Sequence, residues 1–227
     1  RRTASVDVVD AKVAVDLATA QTYKENVFLF VPNLIGYTRV ILAAVSLHFM
    51  SYHPKYSTIT YSISCLLDAF DGYAARSLKQ TSKFGAVLDM VTDRCTTSCL
   101  LCYLSSVYPT FALAFQFLIT LDFSSHYMYM YSSLVTGSKS HKSVTSDVSR
   151  ILSLYYSPTI LFVFCAGNEL FFVALYLIKW NQPWAIPLAY CAAPFCFIKN
   201  VVNMVQLWKS SKILVGVDLA ERAIERE

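Results

Sequence analysis

The chain has 227 residues, 56% of them hydrophobic and only 15% charged, with a mean hydropathy of +0.46 and a formal net charge of +4. A soluble domain carries about a quarter of its residues as charged side chains, so this composition lacks the polar surface to coat a soluble globule. Six glycines and seven prolines leave little material for a turn-rich all-β fold, and the long apolar runs point to membrane helices.

The first stretch, Arg1 to Asn26, has no continuous apolar core and carries Asp7, Asp10, Asp16 and Glu25. It reads as a segment at the membrane surface or a tail, not as a secretory signal. A first helix is expected from Leu34 to Met50, after Pro32 and Asn33, and a second from Tyr56 to Leu78. A third runs from Phe84 to Val107, and Pro109 opens a fourth that reaches Val135. A polar stretch, Gly137 to Arg150, follows. The fifth helix runs from Pro158 to Ile178 and the sixth from Ala185 to Trp208. The expected architecture is an all-α integral membrane domain of six transmembrane helices over residues 34–208, flanked by the surface segment 1–33 and a mixed-charge, helical tail at 209–227. The seven cysteines lie in apolar runs, and the Cys99–Cys102 pair has no second pair or histidine couple to complete a zinc site.

The basic residues sort this chain in the membrane. With six spans, Lys79, Lys83, Lys139, Lys142, Arg150, Lys209, Lys212 and both terminal segments share one side, whereas Lys55 and Lys179 lie on the other. Both termini are therefore expected in the cytoplasm. Arg39, Arg94 and Lys199 fall within spans.

Four acids fall within two adjacent spans, the second and third, where a charge costs about 2.5–3.5 kcal/mol on insertion scales. Asp68 and Asp71 are spaced i, i+3 on the second helix, and Asp89 and Asp93 are spaced i, i+4 on the third, so each pair shares a helical face. If the hairpin turns at Gln80 and Thr81, Asp68 meets Asp93 in depth and Asp71 meets Asp89. The level is roughly 10–20 Å from the turn, at about 1.5 Å per residue. Arg76 and Arg94 lie beside these acids but cannot neutralise all four. Converging carboxylates demand protons or cations, and an all-oxygen donor set suits Mg²⁺ or Mn²⁺, two of which bridged by shared carboxylates activate phosphate esters. Gly72 and Gly85 flank the acids and would let a bulky group approach the backbone. Sodium binding, helix packing, an ion-coupled transporter or a non-catalytic scaffold are the competing readings of buried acids.

Asp68, Asp71, Gly72, Ala75, Arg76, Gly85, Asp89 and Asp93, in this spacing, resemble without departure the signature of the CDP-alcohol phosphotransferase family. The resemblance implies that family's six-helix membrane fold, homodimeric, with its active site open to the cytoplasm. It implies that Asp68, Asp71 and Asp89 ligate two divalent metals and that Asp93 contacts metal and serves as the catalytic base. It places Gly72, Ala75 and Arg76, and more loosely Asn33, beside the CDP moiety, with Asp68 also facing it. The stretches VPNLIGYTRV, LLDAFDGYAAR, FGAVLDMVTDRC, the SHK of Ser140–Lys142 and the GNELF of Gly167–Phe171 are most similar to the eukaryotic members whose acceptor is inositol.

These members imply CDP-diacylglycerol as donor, myo-inositol as acceptor, CMP as leaving product and the endoplasmic reticulum as location, with no nucleic-acid partner. Glycerol 3-phosphate is the alternative acceptor. Inositol is neutral, so its site calls for hydrogen bonds more than charge. Asp122, Ser125 and His126 on the fourth helix and His141, Lys142 and Arg150 after it are the candidate contacts. His126 also reads as a packed helix histidine, Lys142 and Arg150 as ordinary positive-inside residues, and Glu169 with Lys199 as an intramembrane pair.

Overall fold

A computed structural model of the chain describes residues 26–136 and 158–226. Among them are six long helices and no strand: α1 Val31–Phe49, α2 Pro54–Ser77, α3 Lys83–Val107, α4 Ala112–Val135, α5 Pro158–Lys179 and α6 Ala185–Ile224. A 3₁₀ turn at Val27–Leu29 precedes α1 and another at Pro109–Phe111 precedes α4. The surface segment before Asn26 and the loop carrying His141, Lys142 and Arg150 lie outside the described residues.

Local chemistry sets the helix ends. Pro32 and Pro54 stand in the first turns of α1 and α2, where a missing N–H costs nothing. Ser82 caps α3 by accepting from the Gly85 amide at 2.9 Å. The turn between α2 and α3 closes with Gln80 N–H donating to Ala75 O at 2.9 Å while Lys79 takes a left-handed φ of 57°. Asn181, with φ 54°, ends α5 the same way, and Gln182 N–H reaches back to Leu177 O at 3.3 Å. Gln80 then turns outward and its Oε1 accepts from the Val31 amide at 2.9 Å, so one short turn also caps α1.

The last span and the tail expected to be helical after Trp208 form one continuous helix. α6 runs unbroken to Ile224, 40 residues, because nothing between Lys209 and Ile224 stops it. At 1.5 Å per residue it is about 60 Å long, twice the ~30 Å hydrocarbon thickness. Two helices, Ile160–Lys179 and α6, are long and apolar enough to cross a membrane. No stretch of α1 to α4 is apolar enough over the length of a crossing, because these helices carry Asn33, Arg39, the four aspartates, Arg94, Asp122 and His126.

The bundle divides along its length. Met50, Tyr61, Leu100, Leu104, Phe115, Phe172 and Tyr176 form an apolar core at the end that holds the α1–α2, α3–α4 and α5–α6 connections. The other half buries polar groups instead: Asn33, Arg39, Ser64, Asp71, Asp122, Ser125 and Lys199. Large apolar side chains such as Ile41, Leu66, Phe70, Leu113 and Phe197 point outward. That distribution suits a hydrocarbon surround, in which small and polar residues form the helix contacts.

α5 and α6 cross closely at Gly167. A Cβ built there would sit 2.6 Å from Phe195 Cβ and 2.8 Å from its Cγ, atoms rooted to the α6 backbone. Gly167→Ala is therefore expected to force the helices apart, costing about 1–3 kcal/mol. A clear drop in the unfolding temperature of detergent-solubilised protein checks this, and an unchanged temperature would refute the close crossing.

Candidate active site

The hairpin of α2 and α3 brings its four aspartates to one level, and α1 supplies what lies between them. Arg39 is 3% exposed. Its Nη1 donates to Asp71 Oδ2 and to Asp89 Oδ1, both at 2.7 Å. Its Nη2 lies 2.7 Å from Asp68 Oδ1 and donates to Asp93 Oδ1. Each terminal nitrogen thus joins one acid of α2 to one acid of α3, in the depth pairing that folding the sequence at Gln80 predicts. The expectation that Arg76 and Arg94 share the burden of these acids needs correction. Arg94 Nη2 reaches Asp93 Oδ2 at 3.5 Å, but Arg76 makes no ion pair among the described residues, and Arg39 is the common counter-ion.

Arg39 was legible only as an in-span cation. Its signal was the lack of any acid on α1 to pair with it. Its position is fixed from α2, where Ser64 Oγ donates to Arg39 O at 3.1 Å.

Ligand atoms of Asp68, Asp71 and Asp89 lie within 4.8 Å of one another. Three carboxylates that close, with one shared guanidinium, still carry excess negative charge, and their oxygens are the donors a hard divalent cation takes. Asp93 belongs to the same cluster through Arg39 and Arg94.

A cleft of ≈ 200 Å³ opens beside the acids, between α1, α2 and α3. Asn33, Asp71, Gly72, Ala75, Arg76, Gly85 and Asp89 line it. Arg76 stands exposed on this cleft. Asn33 is 1% exposed, and its Nδ2 is already committed to Val27 O at 2.6 Å. Gly85 lines the cleft, but its Cβ direction is filled: an added Cβ there would lie 2.7 Å from Asn33 Oδ1 and 2.9 Å from Ser82 Oγ. Gly72 is the open one, since its nearest neighbour would be the mobile end of Arg76 at 3.4 Å.

A second polar cluster adjoins the first through Arg94. Asp122 Oδ1 accepts from Lys199 Nζ at 3.0 Å, from Asn203 Nδ2 at 2.9 Å and from Arg94 Nη1 at 3.3 Å. Its Oδ2 is buried without a partner among the described residues. His126 Nδ1 donates to Asp122 O at 2.8 Å, which leaves Nε2 to accept from Arg94 Nη1 at 2.9 Å. Lys199 therefore pairs with Asp122 and not with Glu169. Glu169 is instead held by Tyr61 OH at 2.8 Å, Thr97 Oγ1 at 2.9 Å and Asn168 Nδ2 at 3.2 Å, joining α2 and α3 to α5. Asp122 and Ser125 are buried, and His126 is partly so.

Residues 29–209 match the CDP-alcohol phosphatidyltransferase family. The CDP-diacylglycerol–inositol 3-phosphatidyltransferase of Schizosaccharomyces pombe is 50% identical over 221 residues, covering 87% of this chain and 93% of that protein. Its Candida albicans counterpart is 45% identical, covering 94% of each, and the human one is 42% identical, covering 88% of this chain and 97% of that protein.

The two cleft glycines should behave differently. Gly85→Ala must displace the Asn33 amide or break the Ser82 cap, each worth about 1–2 kcal/mol, and is expected to lower the unfolding temperature. Gly72→Ala meets no fixed atom and gains helix propensity, so it should unfold at or above the wild-type temperature. Thermal unfolding of both variants decides; equal destabilisation would overturn the assignment.

Proposed function

The chain belongs to the CDP-alcohol phosphatidyltransferase family, and from that premise we propose how its buried acids serve the reaction. The protein is an enzyme that transfers the phosphatidyl group of CDP-diacylglycerol to inositol, giving phosphatidylinositol and CMP. The observation that carries the mechanism is the convergence of Asp68, Asp71, Asp89 and Asp93 at one level beside a cleft.

Asp68, Asp71 and Asp89 would hold two divalent ions, Mg²⁺ or Mn²⁺, and their all-carboxylate donor set fits such hard cations. When bound, these ions neutralise the pyrophosphate and the charge that develops on the departing CMP. The nucleotide lies in the cleft against Asn33, Gly72 and Ala75. Arg76, unpaired among the described residues and exposed there, meets the pyrophosphate. An inositol hydroxyl forms the new bond to the β-phosphorus as the bond to the cytidylate oxygen breaks. Asp93 takes the hydroxyl proton, and Oδ2 is the atom suited to it, because Oδ1 is held by Arg39 whereas Oδ2 lies 3.5 Å from Arg94.

Arg94 and His126 present the polar edge next to Asp93, and buried Asp122 orients both. We place myo-inositol at that edge, with Ser125 behind it and His141, Lys142 and Arg150, outside the described residues, as its remaining candidate contacts. A neutral polyol suits this edge because the basic groups here are already paired: Arg94 and Lys199 both serve Asp122. All six helices span the membrane in this reading, with both termini and the cleft facing the cytoplasm, in a homodimer of the endoplasmic reticulum. Two helices with membrane-crossing length and apolarity, and the outward apolar side chains of the other four, support it.

CMP release from CDP-diacylglycerol in micelles tests the reading. EDTA should abolish it, Mg²⁺ or Mn²⁺ should restore it, and inositol should outrun glycerol 3-phosphate. Full activity in chelator would sink the metal assignment, and a faster rate with glycerol 3-phosphate would overturn the polyol site.

Asp93→Asn should lose turnover by about 10²–10⁴-fold, the range for a general base, while largely keeping nucleotide affinity. Near-normal turnover, or parallel loss of CDP-diacylglycerol binding, would remove Asp93 from the role of base.

A further inference from the structure

The guanidinium of Arg39 matches the carboxylate cluster in number and in side. Its two terminal nitrogens carry two hydrogens each, and each nitrogen contacts two of the four aspartates. Only the Oδ2 of Asp71 and the Oδ1 of Asp68, Asp89 and Asp93 are engaged, so every carboxylate keeps a second oxygen that Arg39 does not hold. Arg39 is 3% exposed, while the side chains of Asp68, Asp89 and Asp93 are 37%, 45% and 30% exposed. Asp71 and Asp89 line the cleft and Arg39 does not. The guanidinium therefore sits behind the acids, on the bundle side, and the acids stand between it and the opening.

We propose that Arg39 is a positioning residue that grips one oxygen of each aspartate from behind and so presents the other oxygens of Asp68, Asp71 and Asp89 to the divalent ions and that of Asp93 to the acceptor hydroxyl. This rests on the metal reading above. Four carboxylates on two helices repel one another, and without a common anchor they would splay. Arg39 is tied to α2 through Ser64 and to α2 and α3 through the acids, so it fixes all three helices at the level of the cluster. A planar fork serves four acceptors at once. An ammonium group has only three hydrogens and a compact head, so lysine keeps the charge but not the geometry.

The opposite role, a built-in cation that competes with metal, makes the reverse prediction. Removing a competing positive charge would tighten metal binding. The test is Mn²⁺ affinity of the detergent-solubilised full chain, read from free Mn²⁺ by electron paramagnetic resonance. The midpoint of Mn²⁺-induced thermal stabilisation gives a second reading for variants that are marginally folded in chelator. Arg39→Lys is expected to weaken Mn²⁺ binding by about tenfold or more, as loss of an outer-sphere partner does, and Arg39→Gln to weaken it further. Unchanged affinity in Arg39→Lys, or tighter binding in Arg39→Gln, would overturn the proposal. A wild-type chain that binds no Mn²⁺ would instead remove the metal reading on which it rests, so the two failures are separate. A role confined to folding would lower the unfolding temperature in chelator yet leave the Mn²⁺ midpoint where it is, and that result also counts against positioning.

Discussion

A charge taken out of water must be matched by another, and at the centre of this bundle one guanidinium answers to four carboxylates. Arg39 contacts Asp68, Asp71, Asp89 and Asp93 together. Breaking a buried pair on one side costs several kcal/mol, about 3–5, because it strands the remaining charge. Through this contact α1 is tied to both α2 and α3. The arithmetic is also unequal. Four negative charges against one positive leave a strong appetite for further cations, and Arg94 relieves it only in part because it divides itself between Asp93 and Asp122.

The rest of the molecule is arranged so that this polar level can exist. Apolar packing is concentrated at the opposite end, where Tyr176 OH donates to Met50 O at 2.9 Å and Tyr108 OH to Leu175 O at 2.9 Å inside a shell of Leu100, Leu104 and Phe172. The carboxylates away from the cluster, buried Asp122 and half-buried Glu169, have their own sets of donors. Asp122 is given Lys199, Asn203 and Arg94, and Glu169 is given two hydroxyls and an amide. Both tie helices together across long stretches of chain, so the polar groups that make the site also hold the bundle in register.

Close helix approach supplies the remaining geometry. An added Cβ at Gly36 would lie 3.0 Å from Leu88 Cδ2, and one at Gly85 would lie 2.7 Å from Asn33 Oδ1, so α1 and α3 touch along a seam of small residues. The left-handed Lys79 closes the α2 helix tightly enough for Gln80 to cap α1 as well. The cleft between these three helices is thus walled mostly by backbone and short side chains, with Arg76 and Leu88 the long ones, and the acids come to its edge because the turn that joins α2 to α3 is short.

The sequence by itself determined where the helices lie, that Asp68 and Asp71 share one face and Asp89 and Asp93 another, and that a short turn brings the two pairs level. These are consequences of a 3.6-residue period and a hairpin, and both are local. The family signature rested on the same local spacing. Only the tertiary structure decided which buried cation meets which acid. Lys199 reaches Asp122 rather than Glu169, Arg39 rather than Arg76 serves the cluster, and Asn33 fills the space that Gly85 leaves. Those outcomes depend on how helices far apart in sequence cross one another. Periodicity carries no record of that crossing; the angle and rotation of each helix against its neighbours set it.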